Sequence, residues 1–250
     1  MSSVWGEVDP AELTRIVVVS PHLDDAALGA AGLLGAHPGS VVVTVCAGAP
    51  DPYPDPPTEW DRRGGFGAGD DVLALRREED RAGLAVLGAT PVWLDDVDWQ
   101  YLDEAERRSA SEVADMLDEA LSPLEPTAVF LPMGLANPDH DRTFEAGRIV
   151  RDRRPDVSWF AYEDAGYKHI PGLLAWRISG LFRSGLWPTP AVVPTDPDPA
   201  RKRAAVACYR SQVVPLAEDN GLDAQLDAHV PEQFWRLAPP PPGWEGLAEL

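Results

Sequence analysis

Two short stretches carry side chains able to do chemistry. The first, Ser20-Pro21-His22-Leu23-Asp24-Asp25, places an imidazole and two carboxylates in one turn, and the second, Asn137-Pro138-Asp139-His140-Asp141, places another imidazole among carboxylates. Such groups are costly to desolvate unless something binds them, and a divalent cation answers that need. His22, Asp25 and His140 would supply two imidazole nitrogens and one carboxylate oxygen, a mixed set that suits zinc with a position left open for water. Three protein ligands are the pattern of a catalytic rather than a structural zinc site. Asp24 would sit beside the ion and point elsewhere, as a general base does. The plainer reading of the first stretch stands alongside: Asp at a strand-to-helix junction is often only an N-cap, and Pro21 is ordinary turn chemistry.

Both clusters need elements to position them. Ile16 to Val19 is a β-branched run that reads as a strand buried on both faces, and Ala26 to Leu34 has the small-residue composition of a tightly packed helix. Ser40 to Ala47 repeats the strand signature, so the chain opens as β–α–β with a right-handed crossover. Gly48 to Asp70, dense in Pro, Gly and Asp, is too long for a plain connection and reads as a partly mobile pocket wall. The pattern then predicts a helix over Asp71 to Leu87 with Val72, Leu75, Ala82 and Val86 at helical spacing and Gly88 as its stop. A strand at Pro91 to Leu94, a helix at Glu104 to Leu121 and a strand at Thr127 to Pro132 follow, and the last of these delivers the second cluster. A helix over Arg142 to Arg153 and a strand over Val157 to Tyr162 complete the alternation. This is the grammar of an α/β fold with a mostly parallel central sheet flanked by helices, in which both clusters fall on the same carboxyl edge.

One domain over residues 1–250 is expected, with a core at 1–164 and a less regular C-terminal extension at 165–250 that shapes the pocket. The extension holds a Pro-rich break at Pro188 to Pro199, a helix over Ala200 to Ser211, and prolines from Pro239 that read as extended polyproline. The acidic run Asp95-Asp96-Val97-Asp98 reads as solvated loop and capping, and Cys46 and Cys208 as isolated buried thiols. A net charge of −20 disfavours nucleic acid and anionic membranes as partners. No apolar leader or run of membrane-spanning length is present, so the expectation is a cytoplasmic protein acting on a small molecule, with a homo-oligomer left open. His37 and His229 lack supporting neighbours and read as surface residues.

Ser20-Pro-His-Leu-Asp-Asp25 resembles the (Pro/Ala)-His-x-Asp-Asp signature of the PIG-L/LmbE-like zinc N-deacetylases, and Pro138-Asp139-His140 fits the end of that family's second motif, usually His-x-Asp-His. Further similar pieces are Arg76 to Ala82 with Leu87-Gly88, Tyr162-Glu163-Asp164, Lys202 through Tyr209 to Gln212, and Glu232 to Trp235, so the likeness spans roughly residues 14–237. It implies a Rossmann-like sheet and zinc-dependent removal of an acetyl group, commonly from an amino sugar. By position it makes His22, Asp25 and His140 zinc ligands, Asp24 the general base, and Asp139 a residue that orients or tunes a neighbour. Arg76, Tyr162 and His169 become candidates for the substrate, although an Arg in such a charged run is more often a surface ion-pair partner on its helix. One position departs: Asn137 stands where the family motif has a His thought to steady the oxyanion, and an amide donates a hydrogen bond without positive charge. Two other readings stay open. One is an amidase of specialised metabolism cleaving a larger acyl group or conjugate; the other is a metal- or sugar-binding homologue with weakened catalysis. A nucleotide-binding protein is remote, because no Gly-x-Gly-x-x-Gly follows the first strand.

Overall fold

The computed structural model describes residues 6–222, 226, 231–240, 242 and 243; His229 and part of the proline tail lie outside them. Seven strands form one sheet in the order β3-β2-β1-β4-β5-β7-β6. Their ranges are β1 Ile16–Ser20, β2 Val41–Thr44, β3 Thr90–Trp93, β4 Ala128–Pro132, β5 Ser158–Tyr162, β6 Trp187–Ala191 and β7 Phe234–Ala238. The first five pair in parallel, and β7 joins β5 and β6 antiparallel. The helices are α1 Asp25–Gly29, α2 Ala31–Ala36, α3 Glu59–Arg63, α4 Val72–Leu87, α5 Ala110–Leu121, α6 Pro138–Arg153, α7 Leu173–Arg183, α8 Pro199–Val206 and α9 Arg210–Asn220.

The β-branched runs behave as their composition demands. Every residue of β1 and β4 is buried, and alternate side chains feed two cores. Ile16, Val18, Ala128 and Phe130 join Leu33, Leu34, Leu84 and Tyr209 on one face, while Val17, Val19, Val129 and Leu131 join Val113, Leu117, Phe144 and Val150 on the other. Strands covered on both faces have no reason to alternate polar and apolar residues, hence the unbroken apolar runs.

Several boundaries differ from the sequence expectation. The helix expected over Ala26 to Leu34 is two short ones broken at Ala30, whose φ of −139° leaves the helical region. The helix expected from Glu104 begins at Ala110, because Ser109 and Glu112 form a reciprocal capping box that fixes the start. The helix expected from Arg142 starts instead at Pro138, capped by Asn137, so His140 belongs to its first turn. The helix over Ala200 to Ser211 divides into α8 and α9, and the Pro-rich break contains β6, which tolerates Pro188 and Pro190 because it is the outermost strand. Cys208 is half-buried rather than buried, and His37 is half-buried rather than at the surface.

α4 runs as expected from Asp71, which caps Ala74 N–H, to Gly88, whose left-handed backbone at φ +74° only glycine adopts without cost. Its inward face, however, is Val72, Leu73, Arg76, Asp80, Gly83, Leu84 and Leu87, while Leu75 and Val86 lie exposed. The polar members of this face are paired. Asp80 accepts from Trp93 Nε1 at 2.7 Å and from the Tyr209 hydroxyl at 3.0 Å, tying α4 to β3 and the C-terminal part. Burial nonetheless pushes the Asp80 carboxyl up to about 6. A carboxyl raised in the native state holds a proton that the unfolded chain has already released, so stability declines between about pH 4 and pH 6 and stays lowered above. Asp80→Asn, which keeps the shape without the charge, should therefore gain about 2 kcal/mol relative to the native chain between about pH 4 and about pH 7, read from urea melts.

Candidate metal centre and active-site pocket

The chain runs β1, β2, β3 to one side of the sheet and β4, β5 to the other, so the order reverses between β1 and β4, which pair directly. Open α/β sheets bind ligands at the carboxyl edge beside such a reversal. His22 to Asp25 follow β1 and Asn137 to His140 follow β4, which brings the two clusters together there. Cys46 follows β2, Asp96 and Asp98 follow β3, and Asp164 and Tyr167 follow β5, so all five parallel strands supply residues to one rim.

The β1 turn is locked from within. Ser20 Oγ donates to the His22 carbonyl at 2.7 Å and accepts from Ala26 N–H at 3.0 Å, while His22 N–H donates to Asp25 Oδ2 at 2.9 Å. Asp25 Oδ2 also faces His22 Nδ1 at 3.2 Å and His140 Nε2 at 3.3 Å, with the two rings 5.3 Å apart. One atom from each of His22, Asp25 and His140 lies within 4.8 Å of the others, a spacing that one ion bridges. Asp24 precedes α1 yet makes no side-chain cap bond, and it lies 7% exposed in the pocket wall. That geometry removes the cap-and-turn reading for Asp24.

Each imidazole is held by a carboxylate on its far nitrogen. His22 Nε2 meets Asp139 Oδ2 at 3.3 Å, and His140 Nδ1 meets Asp164 Oδ1 at 2.6 Å. Such partners fix the tautomer and turn the other nitrogen toward a metal. Both are anchored in turn: Asp139 accepts from Trp99 N–H at 3.0 Å and from Arg142 at 2.6 Å, and Asp164 accepts from Leu135 N–H at 3.1 Å. A second group, His22, Cys46 and Asp139, also lies within 4.8 Å. Its His22 nitrogen and Asp139 oxygen already bond each other, and Arg142 adjoins both Cys46 and Asp139.

The rim is electrostatically short of cations. Burial alone would favour neutral rings, yet Asp98, Asp139 and Asp25 raise His22 well above its ordinary range, and Asp25 and Asp164 raise His140 to about 10. Protons on both rings stand in for positive charge that the carboxylates demand, which is the role a divalent ion takes over. Burial and the neighbouring Asp25 carboxylate push Asp24 up to about 7, the range in which a group can both take and return a proton. Burial also pushes the Tyr167 hydroxyl up, so it stays a donor near neutrality.

Above the rim lies a cavity of about 240 Å³ with aromatic and aliphatic walls from Leu28, Trp60, Leu73, Trp99, Tyr101 and Leu216 and polar groups from Gln100, Asn137, Tyr167 and Gln212. The Gly48 to Asp70 segment reaches it through Trp60 on α3, as a pocket wall should. Arg76 is not a surface residue: it is 5% exposed, lines the cavity and bonds Asp61 at 2.9 Å. Tyr162 does not reach the cavity. Its hydroxyl donates to the Val19 carbonyl at 3.0 Å, and its ring packs so close to Gly29 that a Cβ there would lie 2.6 Å away, so it buttresses α1 from below. His169 is exposed and outside the cavity; Tyr167, two residues earlier, enters it. The acidic run after β3 is only partly the solvated, capping loop expected: Asp95 is exposed and Asp98 caps Gln100 N–H, but Asp96 is fully buried between Arg108 and Arg142, and Asp98 also lies 4.0 Å from His22 Nε2. Its position directly after a strand, shared with both recognised clusters, was the available signal.

A rim whose side chains could hold a divalent ion, on a mostly parallel sheet of this order, makes this an α/β protein with a candidate metal centre. Residues 17–150 match the model of the PIG-L family, GlcNAc-PI de-N-acetylase, and the chain belongs to that family. Among solved structures, a triple mutant of the deacetylase Orf2*T of teicoplanin biosynthesis is 27% identical with a TM-score of 0.74, over 92% of this chain and 100% of that one. The A40926 pseudoaglycone deacetylase Dbv21 is 25% identical with a TM-score of 0.75, over 90% and 98%. The N,N'-diacetylchitobiose deacetylase from Pyrococcus horikoshii, at 17% identity and a TM-score of 0.53 over 90% and 84%, shares the fold. No curated protein matches the chain in sequence. Among the described residues no helix is long and apolar enough to cross a membrane.

Proposed function

We propose that this chain is a metal-dependent N-deacetylase that hydrolyses the acetamide of an N-acetylated amino sugar or a sugar-bearing small molecule. The observation that carries the reading is the convergence of His22, Asp25 and His140 within 4.8 Å beside an Asp24 that no cap bond occupies. The donor set fits a zinc-class ion, because both rings have their far nitrogens held by carboxylates and the rim carries excess negative charge. Bound there, such an ion supplies Lewis acidity, polarising the amide carbonyl and easing ionisation of water.

The chain's own groups do the rest. Asp24 takes a proton from the attacking water and returns it to the leaving nitrogen as the C–N bond breaks, while Asp139 and Asp164 hold the two rings. The likeness to the deacetylase of teicoplanin biosynthesis and to the A40926 pseudoaglycone deacetylase supports removal of an acetyl group, and the cavity supports a sugar-bearing substrate, with Trp60 and Trp99 as aromatic lining for a sugar ring and Arg76 and Gln212 as polar lining. The largely apolar wall favours a second reading in which a longer acyl group is cleaved. Metal analysis of protein purified without chelator, joined to an amine-release screen over N-acetylated and longer N-acylated amino sugars, tests both. Stoichiometric metal with acetate release is expected; protein without metal refutes the reading, and release of longer acyl groups alone moves the assignment to an amidase.

A further inference from the structure

We propose that Tyr167 supplies the hydrogen bond to the oxyanion, with Asn137 at the start of α6 serving as the residue whose amide meets its hydroxyl. This rests on the deacetylase reading above and names a further catalytic residue within it.

Asn137 is held by its own helix. Its side-chain Oδ1 accepts from Asp139 N–H at 2.8 Å, the cap bond that starts α6, and this turns its amide group toward the Tyr167 hydroxyl at 3.5 Å. In that contact the amide donates and the Tyr167 oxygen accepts, so the hydroxyl hydrogen can be donated to a group in the cavity that Tyr167 lines. The Tyr167 and His140 rings meet in a T-shaped contact, 5.4 Å between centroids at 85°, and both residues line the cavity, so Tyr167 stands beside one of the three residues that would hold the ion.

Tyr167 is also held where it stands. Its N–H donates to the Asp164 carbonyl at 3.1 Å, and the Asp164 carboxylate fixes His140, so one residue aligns both the imidazole and the tyrosine. The ring packs against the core that contains Met133, Leu135 and Phe144. A donor on a short, anchored turn costs little reorganisation as charge develops, which is the condition for oxyanion stabilisation.

The step balances without an added reagent. Water oxygen bonds to the amide carbon, the carbonyl π pair moves onto oxygen, and the water proton goes to Asp24. The Tyr167 O–H then hydrogen-bonds the oxyanion. When the π bond re-forms, the C–N bond breaks and the Asp24 proton passes to the departing amine, giving a free amine and acetic acid, which releases its remaining proton to water to become acetate.

The test compares native protein with Tyr167→Phe, both loaded with zinc, on p-nitrophenyl N-acetyl-β-glucosaminide and on a methylphosphonamide of glucosamine that mimics the tetrahedral state. Loss of one oxyanion donor should lower kcat about a hundredfold with KM little changed. The phosphonamide should bind about tenfold or more weakly, while glucosamine affinity, zinc content and melting temperature stay the same. A misplaced pocket wall would instead raise KM and weaken glucosamine as well. Adding Asn137→His to Tyr167→Phe should restore part of the lost kcat. Equal kcat and equal phosphonamide affinity in the two proteins overturn the proposal while leaving the deacetylase reading standing. Native protein that releases no amine from any acylated sugar and does not bind the phosphonamide overturns both.

Discussion

Asp24→Asn is expected to bind its divalent ion as fully as the native chain and to turn over roughly a thousandfold more slowly, the scale at which a positioned general base contributes. Asparagine copies the shape of the carboxylate but accepts no proton near neutrality. The substitution breaks no cap bond, because the Asp24 side chain makes none, and Asp24 stands outside the group whose donor atoms converge. It also removes a carboxyl that burial and Asp25 disfavour in its charged form, so the variant should melt no lower than the native chain. Amine release, metal content and thermal melts on one preparation separate the outcomes. Undiminished turnover would rule out Asp24 as the base, and loss of metal would make it a ligand instead.

How much of this was legible before the fold was known depends on how local each signal is. The unbroken apolar runs of β1 and β4 announce buried parallel strands, and a parallel sheet puts the residues after them on one edge, so His22, Asp25 and His140 can be joined although they lie far apart in sequence. Signals that rest on the opposite side of an interface were not legible. Arg76 sits in a charged run that looks like a solvated helix face, and only Asp61, delivered by the short helix α3, makes its burial tolerable. Asp96 and Asp98 look like an acidic loop until Arg108, Arg142 and His22 arrive around them. Tyr162 and Tyr167 carry the same side chain five residues apart, and the strand end decides between them: Tyr162 is still within β5 and points into the core under Gly29, whereas Tyr167 lies beyond it on the turn that enters the cavity. The departure at Asn137 was visible as a residue change, but its use as the cap of α6 depends on where that helix starts.

His140→Ala should abolish metal binding and, with it, turnover. The imidazole is 2% exposed and is the only donor β4 brings to the convergent group, so nothing nearby replaces its nitrogen. Its removal also strips Asp164 and Asp25 of a buried partner, which should cost about 3 kcal/mol of stability in the metal-free protein. Asp164→Asn gives a graded version of the same effect with the fold kept. The amide oxygen can still accept from Leu135 N–H, which turns the amide nitrogen toward His140 Nδ1 as a donor where the native carboxylate accepted. The ring must then carry its proton on Nε2, the nitrogen that faces Asp25 and would meet the ion. Metal affinity should fall by about 10- to 100-fold, measured by competition with a chelator of known affinity, and the nitrogen NMR shifts of His140 should report the exchanged tautomer. Unaltered affinity with the native tautomer would mean that Asp164 holds the Leu135 loop alone and that His140 is oriented by the walls of its pocket.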